Sequence, residues 1–265
     1  LNKREQGFKI KKTMRNKKDI FNILVATDFK LRYQNSVLGV IWVVLKPFLL
    51  FLILYLVFSF LFGQKDPNYK LNLFLGLILI NYFQEGTTFG LYSLLSRANI
   101  ILKVNFPREI ALYASLAQSL ISLFFNLVVF AIFWCLSPTP LKFFSLPYFL
   151  LYIIILTLLI QGLNFFLSIL YVKFRDLASI WEVLNSLIFF ATPVFYPLSV
   201  IPEEYHSLVF LNPLAVIIHN SREVLIKGEP PNLPRTGLAF LLALVLFILG
   251  LLFFRKKVKK IAEDF

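Results

Sequence analysis

Glu85 is the residue of this sequence that most invites a chemical role, because it lies inside a long apolar run, where a carboxylate needs a partner or a task. It falls in a series of Asn81, Glu85, Thr88 and Tyr92, spaced i, i+4, i+7 and i+11, which puts all four on one side of a helix. Ser115, Gln118, Ser122 and Asn126 make a second stripe, and Gln161, Asn164 and Ser168 a third. Polar groups are costly against lipid, so these stripes should face protein or water. Hydrogen bonding between helices accounts for the second and third; for Glu85, pairing with a basic residue and a direct part in transport both stand. Other chemistry is excluded by what the sequence lacks. It has no G-x-x-x-x-G-K-[ST] and so binds no ATP by a P-loop, and it has no H-E-x-x-H, C-x-x-C or G-x-S-x-G. His206 and His219 lack the partners of a zinc site or a triad, and one Cys makes no internal disulfide. No catalytic residue and no metal ligand set is expected.

The elements that must position these stripes follow from composition. Of 265 residues, 58% are hydrophobic and only 15% charged, which lies outside the range of soluble domains. Long runs with little or no charge extend over Val37–Phe62, Leu71–Leu95, Ile110–Leu136, Leu146–Val172, Leu177–Tyr196 and Leu238–Phe254. The expected fold class is therefore an all-α integral membrane protein with six transmembrane helices. Before the first run, Ile20, Phe21, Leu24, Val25 and Phe29 share one side at helical spacing, which predicts an amphipathic helix on the membrane surface. Between the fifth and sixth runs, Leu208–Ile218 is apolar except for Asn212, is broken by Pro213, and is too short to cross; it predicts a re-entrant hairpin. The expected organisation is a basic segment with the amphipathic helix over 1–35, a membrane domain over 36–255 and a basic tail over 256–265.

Charge gives the orientation. Of 27 Lys and Arg, 21 lie in the two terminal segments and the loops around residues 97–108 and 173–175, and six on the other side. By the positive-inside rule both termini are cytoplasmic. The same split accounts for the net charge of +13 through anchoring at anionic lipid, and no segment is long enough for a folded basic domain, so nucleic acid is not an expected partner. Phe51, Tyr55, Phe58 and Phe62 form an aromatic stripe in the first run, and Asn185, Phe189, Thr192 and Tyr196 a mixed one in the fifth. Such stripes serve as lipid-facing bulk or line a passage in which sugar rings slide over flat apolar surfaces.

Several stretches together resemble a known family. DFKLRYQNSVLGVIWVVLKP, NIILKVNFPRE, VKFRDL and TPVFYPLSVIPEEYHSLVFLNPLAVIIHNSREVLIKGEPP look like the permease subunit of type-2 ATP-binding-cassette exporters, in the branch that exports O antigen, capsule and teichoic acid. The last of these, with its IPE, LNPL, Arg and GE-P elements in order, is the most specific. The resemblance implies a homodimer driven by two copies of a separate ATPase subunit, which carries ATP and Mg, and a lipid-pyrophosphate-linked glycan moved outward across the bacterial inner membrane. It implies a coupling loop over 96–109, with Lys103, Asn105, Phe106, Pro107 and Arg108 seated in the ATPase, and an amphipathic helix as second contact. It also implies an outer gate over 198–235, with Pro202, Glu203, Asn212, Pro213 and Arg222, and a channel lined by Phe51, Tyr55, Phe58, Phe62, Asn185, Phe189, Thr192 and Tyr196. Arg32 and Lys46, at the cytoplasmic end of the first run, would attract the pyrophosphate head. A drug or peptide exporter of the same fold is the alternative. A membrane-embedded transferase would need a paired acid or base, for which Asp28, Asp176 and Glu182 are too scattered.

Overall fold

The computed structural model describes residues 17–33, 38–63, 66–101, 107–140 and 143–258, and all regular structure among them is helical. Helix α1 is Lys17–Tyr33, α2 Ile41–Phe58, α3 Tyr69–Tyr92, α4 Ala98–Ile101, α5 Glu109–Cys135, α6 Leu146–Lys173, α7 Leu177–Ala191, α8 His206–Val209, α9 Pro213–Arg222 and α10 Leu233–Lys257. Starts and stops are set by local chemistry. Pro lies in the first turn of α6, α9 and α10, where its missing N–H is not needed. Asn212 and Asn232 cap α9 and α10, their side chains accepting from Leu214 N and Arg235 N. A π turn over Glu223–Lys227 extends α9 and ends at Gly228, whose φ of 67° suits a residue without Cβ.

Helix α3 is the centre of the bundle, packed by α5 and α6 and, less extensively, by α2 and α9. Leu71, Leu75, Leu77, Leu79 and Ile80 have no exposed surface. Helices α6 and α10 approach most closely at two glycines: a Cβ on Gly162 would lie 2.8 Å from Phe247 N, and one on Gly250 2.5 Å from Gly162 O. Small residues at such crossings let backbones touch, which is how helices associate where lipid is as apolar as the side chains. At the α1 end, Ile20 and Leu24 join Ile110 and Ala114 of α5, Phe165 and Ile169 of α6 and Phe254 of α10 in a second apolar cluster. The predicted amphipathic helix exists and buries part of its apolar side on protein.

Among the described residues four helices, not six, are long and apolar enough to cross a membrane: Ile41–Leu61, Glu109–Cys135, Leu146–Lys173 and Leu233–Lys257. The second expected span is a 24-residue helix, but Lys70, Asn72, Asn81, Gln84, Glu85, Thr87 and Thr88 make it too polar, and its surroundings are mostly protein. The fifth is a helix of 15 residues, about 22 Å, because Thr192 leaves the helical region with ψ 134° and Pro193 follows. No re-entrant hairpin is evident among the described residues either. Leu208–Ile218 folds into α8, a turn and the start of α9, and Ala215, Ile217 and Ile218 are fully buried against the bundle. From Leu214 on the run faces protein, while Leu208 and Leu211 stay exposed, so much of its apolar composition reported core burial and not membrane entry.

Candidate functional site

The last turn of α1, the first half of α2 and the polar side of α3 enclose a cleft of about 280 Å³. Arg32 reaches across it to pair with Glu85 Oε1, and its guanidinium sits 4.5 Å above the Phe89 ring. Lys46 and Trp42 of α2 form the opposite rim. Two cations thus share the cleft with one carboxylate. Asn81 Nδ2 and Asn126 Oδ1 are buried in its wall and make no hydrogen bond among the described residues. The stripe read from sequence therefore converges on one place through Asn81, Glu85 and Thr88; Tyr92 departs from it and packs edge-on against Tyr171 at 5.1 Å.

Beside this cleft, the loop expected to couple to an ATPase is fastened at both ends. Lys103, Asn105 and Phe106 lie outside the described residues. At the leading end Arg97 is 5% exposed and donates to Ser93 O at 2.9 Å, Ala111 O at 3.2 Å, Ser115 Oγ at 2.9 Å and the Asp28 carboxylate of α1. Burial pushes its guanidinium down to about 10, still charged at neutral pH. At the trailing end Pro107 is exposed, Arg108 donates to Val258 O, and Glu109 accepts from Arg255 Nε at 2.9 Å.

At the opposite end of the bundle a polar cavity of about 310 Å³ is lined by Asp66, Tyr69, Asn72, His219, Arg222 and Lys227, among others. Arg222 satisfies three backbone carbonyls, Asn72 O at 2.8 Å, Pro193 O at 2.7 Å and Val194 O at 2.5 Å, which ties the turn after α7 to α3. Desolvation lowers it to about 10, against the attraction of Asp66. Burial, reinforced by Arg222, Lys227 and Arg235, pushes the His219 imidazole down to about 4. Of the other expected gate residues, Asn212 donates to Thr192 Oγ1 at 3.0 Å, Pro213 opens α9, and Pro202 and Glu203 are exposed at a short 3-10 turn.

The aromatic stripes meet at this end too. Phe58 of α2 packs on Phe195 at 5.1 Å, and Phe195 stacks on Phe189 of α7 at 5.8 Å. Tyr55 and Tyr196 are half-buried, the latter donating to Phe190 O at 3.1 Å. Phe51 is 2% exposed, in the core against Phe74 at 4.8 Å. Asn185 and Thr192 are buried, with Asn185 O accepting from Gln84 Nε2 at 2.9 Å, and the Phe62 side chain lies outside the described residues.

Against known proteins, the ABC-2 type transporter profile matches residues 20–226, from the first turn of α1 to the π turn after α9. The chain belongs to the ABC-2 type transporter family. Among relatives of this ABC-2 permease, the O-antigen export system permease protein RfbA of Klebsiella pneumoniae is 28% identical over 248 residues, 92% of this chain and 94% of that protein. RfbA of Myxococcus xanthus is 29% identical over 214 residues, 79% and 81% of the two chains. The polysialic acid transport protein KpsM of Escherichia coli is 22% identical over 240 residues, 88% and 92%. The matched region takes in the cleft, the loop itself and all of the far cavity of the ABC-2 permease except Lys227. Sequence reasoning set Asp28 aside as isolated and passed over Arg97; a pair separated by 69 residues carries no periodic signal. Among the described residues no group of three His, Cys, Asp or Glu is placed to hold a metal ion.

Proposed function

We propose that this ABC-2 permease is the membrane subunit of an ATP-driven exporter that moves a lipid-pyrophosphate-linked polysaccharide outward across the bacterial inner membrane. The observation that carries the reading is that similarity to an O-antigen export permease extends over 92% of this chain and 94% of that protein. The cleft supports it: Arg32 and Lys46 supply two cations where an anionic head would enter, and guanidinium forks suit phosphate oxygens. The working unit is a homodimer with two copies of a separate ATPase, which carries the ATP and Mg. Lys103, Asn105, Phe106, Pro107 and Arg108 contact that ATPase, with α1 as second contact, and both termini face the cytoplasm. Tyr55, Phe58, Phe189 and Tyr196 line the passage between protomers. Pro202, Glu203, Asn212, Pro213 and Arg222 belong to the segment that closes its outer end.

The test is copurification of the permease with its companion ATPase, followed by mass spectrometry of bound glycolipid and an export assay with Arg32→Gln and Lys46→Gln. A polyprenyl-diphosphate glycan in the wild type, with surface glycan reduced in both variants, is the expected result. Stimulation of the ATPase by small amphiphiles in place of glycolipid would assign the chain to drug or peptide export.

A further inference from the structure

Arg32 occupies a position from which two events can be linked. Its guanidinium lies in the cleft, paired with Glu85 and stacked on Phe89. One helical turn earlier, on the same face of α1, Asp28 holds Arg97 at the start of the anchored loop. The two side chains are four residues apart, a rise of about 6 Å along a helix. A change of partner at Arg32 is therefore felt by a rigid element whose next turn is fastened to the loop.

Glu85 is only 23% exposed and stands beside two buried polar atoms with no partner among the described residues, the Asn81 Nδ2 donor and the Asn126 Oδ1 acceptor. We propose that Glu85 is a built-in competitor of a lipid diphosphate for Arg32, so that arrival of the diphosphate exchanges one anionic partner for another and shifts α1. This rests on the headgroup reading given above and assigns Glu85 its part in it. The direction follows from charge. A diphosphate brings at least two negative charges against one on Glu85, offers several oxygens to the guanidinium fork, and also engages Lys46, while Asn81 Nδ2 can donate to it. Otherwise Glu85 cuts the formal charge of the cleft from that of two cations to that of one and raises the threshold for ligands that carry one negative charge.

The experiment measures calorimetric binding of farnesyl pyrophosphate to the full chain in phosphatidylcholine nanodiscs, with farnesol as control for the tail. Arg32→Gln and Lys46→Gln should weaken binding. Glu85→Gln should tighten it by about two- to fivefold, the range of a partly exposed ion pair. In an Arg32→Gln background the Glu85→Gln gain should vanish. Binding unchanged or weaker in Glu85→Gln, while Arg32→Gln still weakens it, overturns the competition and leaves the headgroup site standing. No effect from either cation overturns the site and the competition together. Should Glu85→Gln not fold, Glu85→Asp keeps the charge but shortens its reach, and should tighten binding in the same sense; no tightening there ends the proposal. Discs doped with phosphatidylglycerol test the other source of lipid phosphate: loss of the Glu85→Gln gain assigns the cleft to bulk phospholipid and also overturns it.

Discussion

Arg97 and Asp28 form an ion pair that joins α1 to the loop between α3 and α5, across 69 residues of sequence. The arginine is almost fully enclosed and the aspartate is its only carboxylate partner among the described residues. The remaining guanidinium bonds go to neutral oxygens of Ser93, Ala111 and Ser115. Two elements that were each expected to touch an ATPase are thus held as one body.

Asp28→Asn should leave that guanidinium buried without its counter-charge. Hydrogen bonds to charged groups contribute about 1.5–3 kcal/mol, so a loss of that order is expected, read as a lower melting temperature in detergent. Proteolysis within α1 should become faster in the same variant. An unchanged melting temperature would show that the neutral oxygens suffice.

The α6–α10 crossing makes an opposite pair of expectations. Gly250→Val places new atoms against the Gly162 carbonyl, which as backbone cannot yield, and should cost about 1–3 kcal/mol or more. Gly237→Ala, in the same helix with nothing within 4 Å of the new Cβ, should stabilise by about 0.4–1 kcal/mol. Thermal melts of both variants decide it, and equal effects would mean that the crossing is not tight.

His219 gives a pH dependence whose sign is fixed. Its folded value is about 4, while an unfolded histidine titrates near 6.5. Between those limits the unfolded chain binds a proton that the folded chain refuses, so this contribution is complete above pH 6.5 and is lost as pH falls toward 4. Melting temperature should decline over that window, and His219→Gln should decline less. Parallel profiles would remove His219 as the cause.

The aromatic passage is tested by Phe58→Leu and Phe189→Leu against Phe240→Leu, whose ring is 40% exposed on α10. Each swap changes packing by less than about 1.5 kcal/mol, so assembly should survive in all three. Surface glycan or membrane conductance should change in the first two alone. Near-normal values at all three positions would mean that these rings only fill space.

The sequence announced its helices well and their environments poorly. The rise in apolarity marked elements that the structure contains, whereas the prolines at 147, 213 and 234 and the capping asparagines at 212 and 232, which stand at the starts of α6, α9 and α10, went unread as helix starts, with Pro213 read as a break. Scanning for charge alone counts α3 as a span: Asn81, Glu85 and Thr88 form a stripe within it, but the cost of moving them into lipid is not set against the run as a whole. The Phe51 stripe shows the same limit: a spacing of three or four places rings on one face but does not say whether that face meets another helix, as Phe51 meets Phe74. The convergence of Arg32, Lys46 and Glu85 was partly legible, since each was singled out, yet their pairing depends on how α1 packs against its neighbours.

The brevity of α7 has a consequence for the membrane itself. Ile180, Val183 and Leu187 point outward along a helix of only about 22 Å, against a hydrocarbon layer of about 30 Å. The helix is shorter than that layer by several ångströms, so any lipid packed along its whole length would have to thin locally, at fractions of a kcal/mol for each ångström. Under the proposed glycan export, a path beside α7 would present a shorter dielectric barrier than one beside α6 or α10.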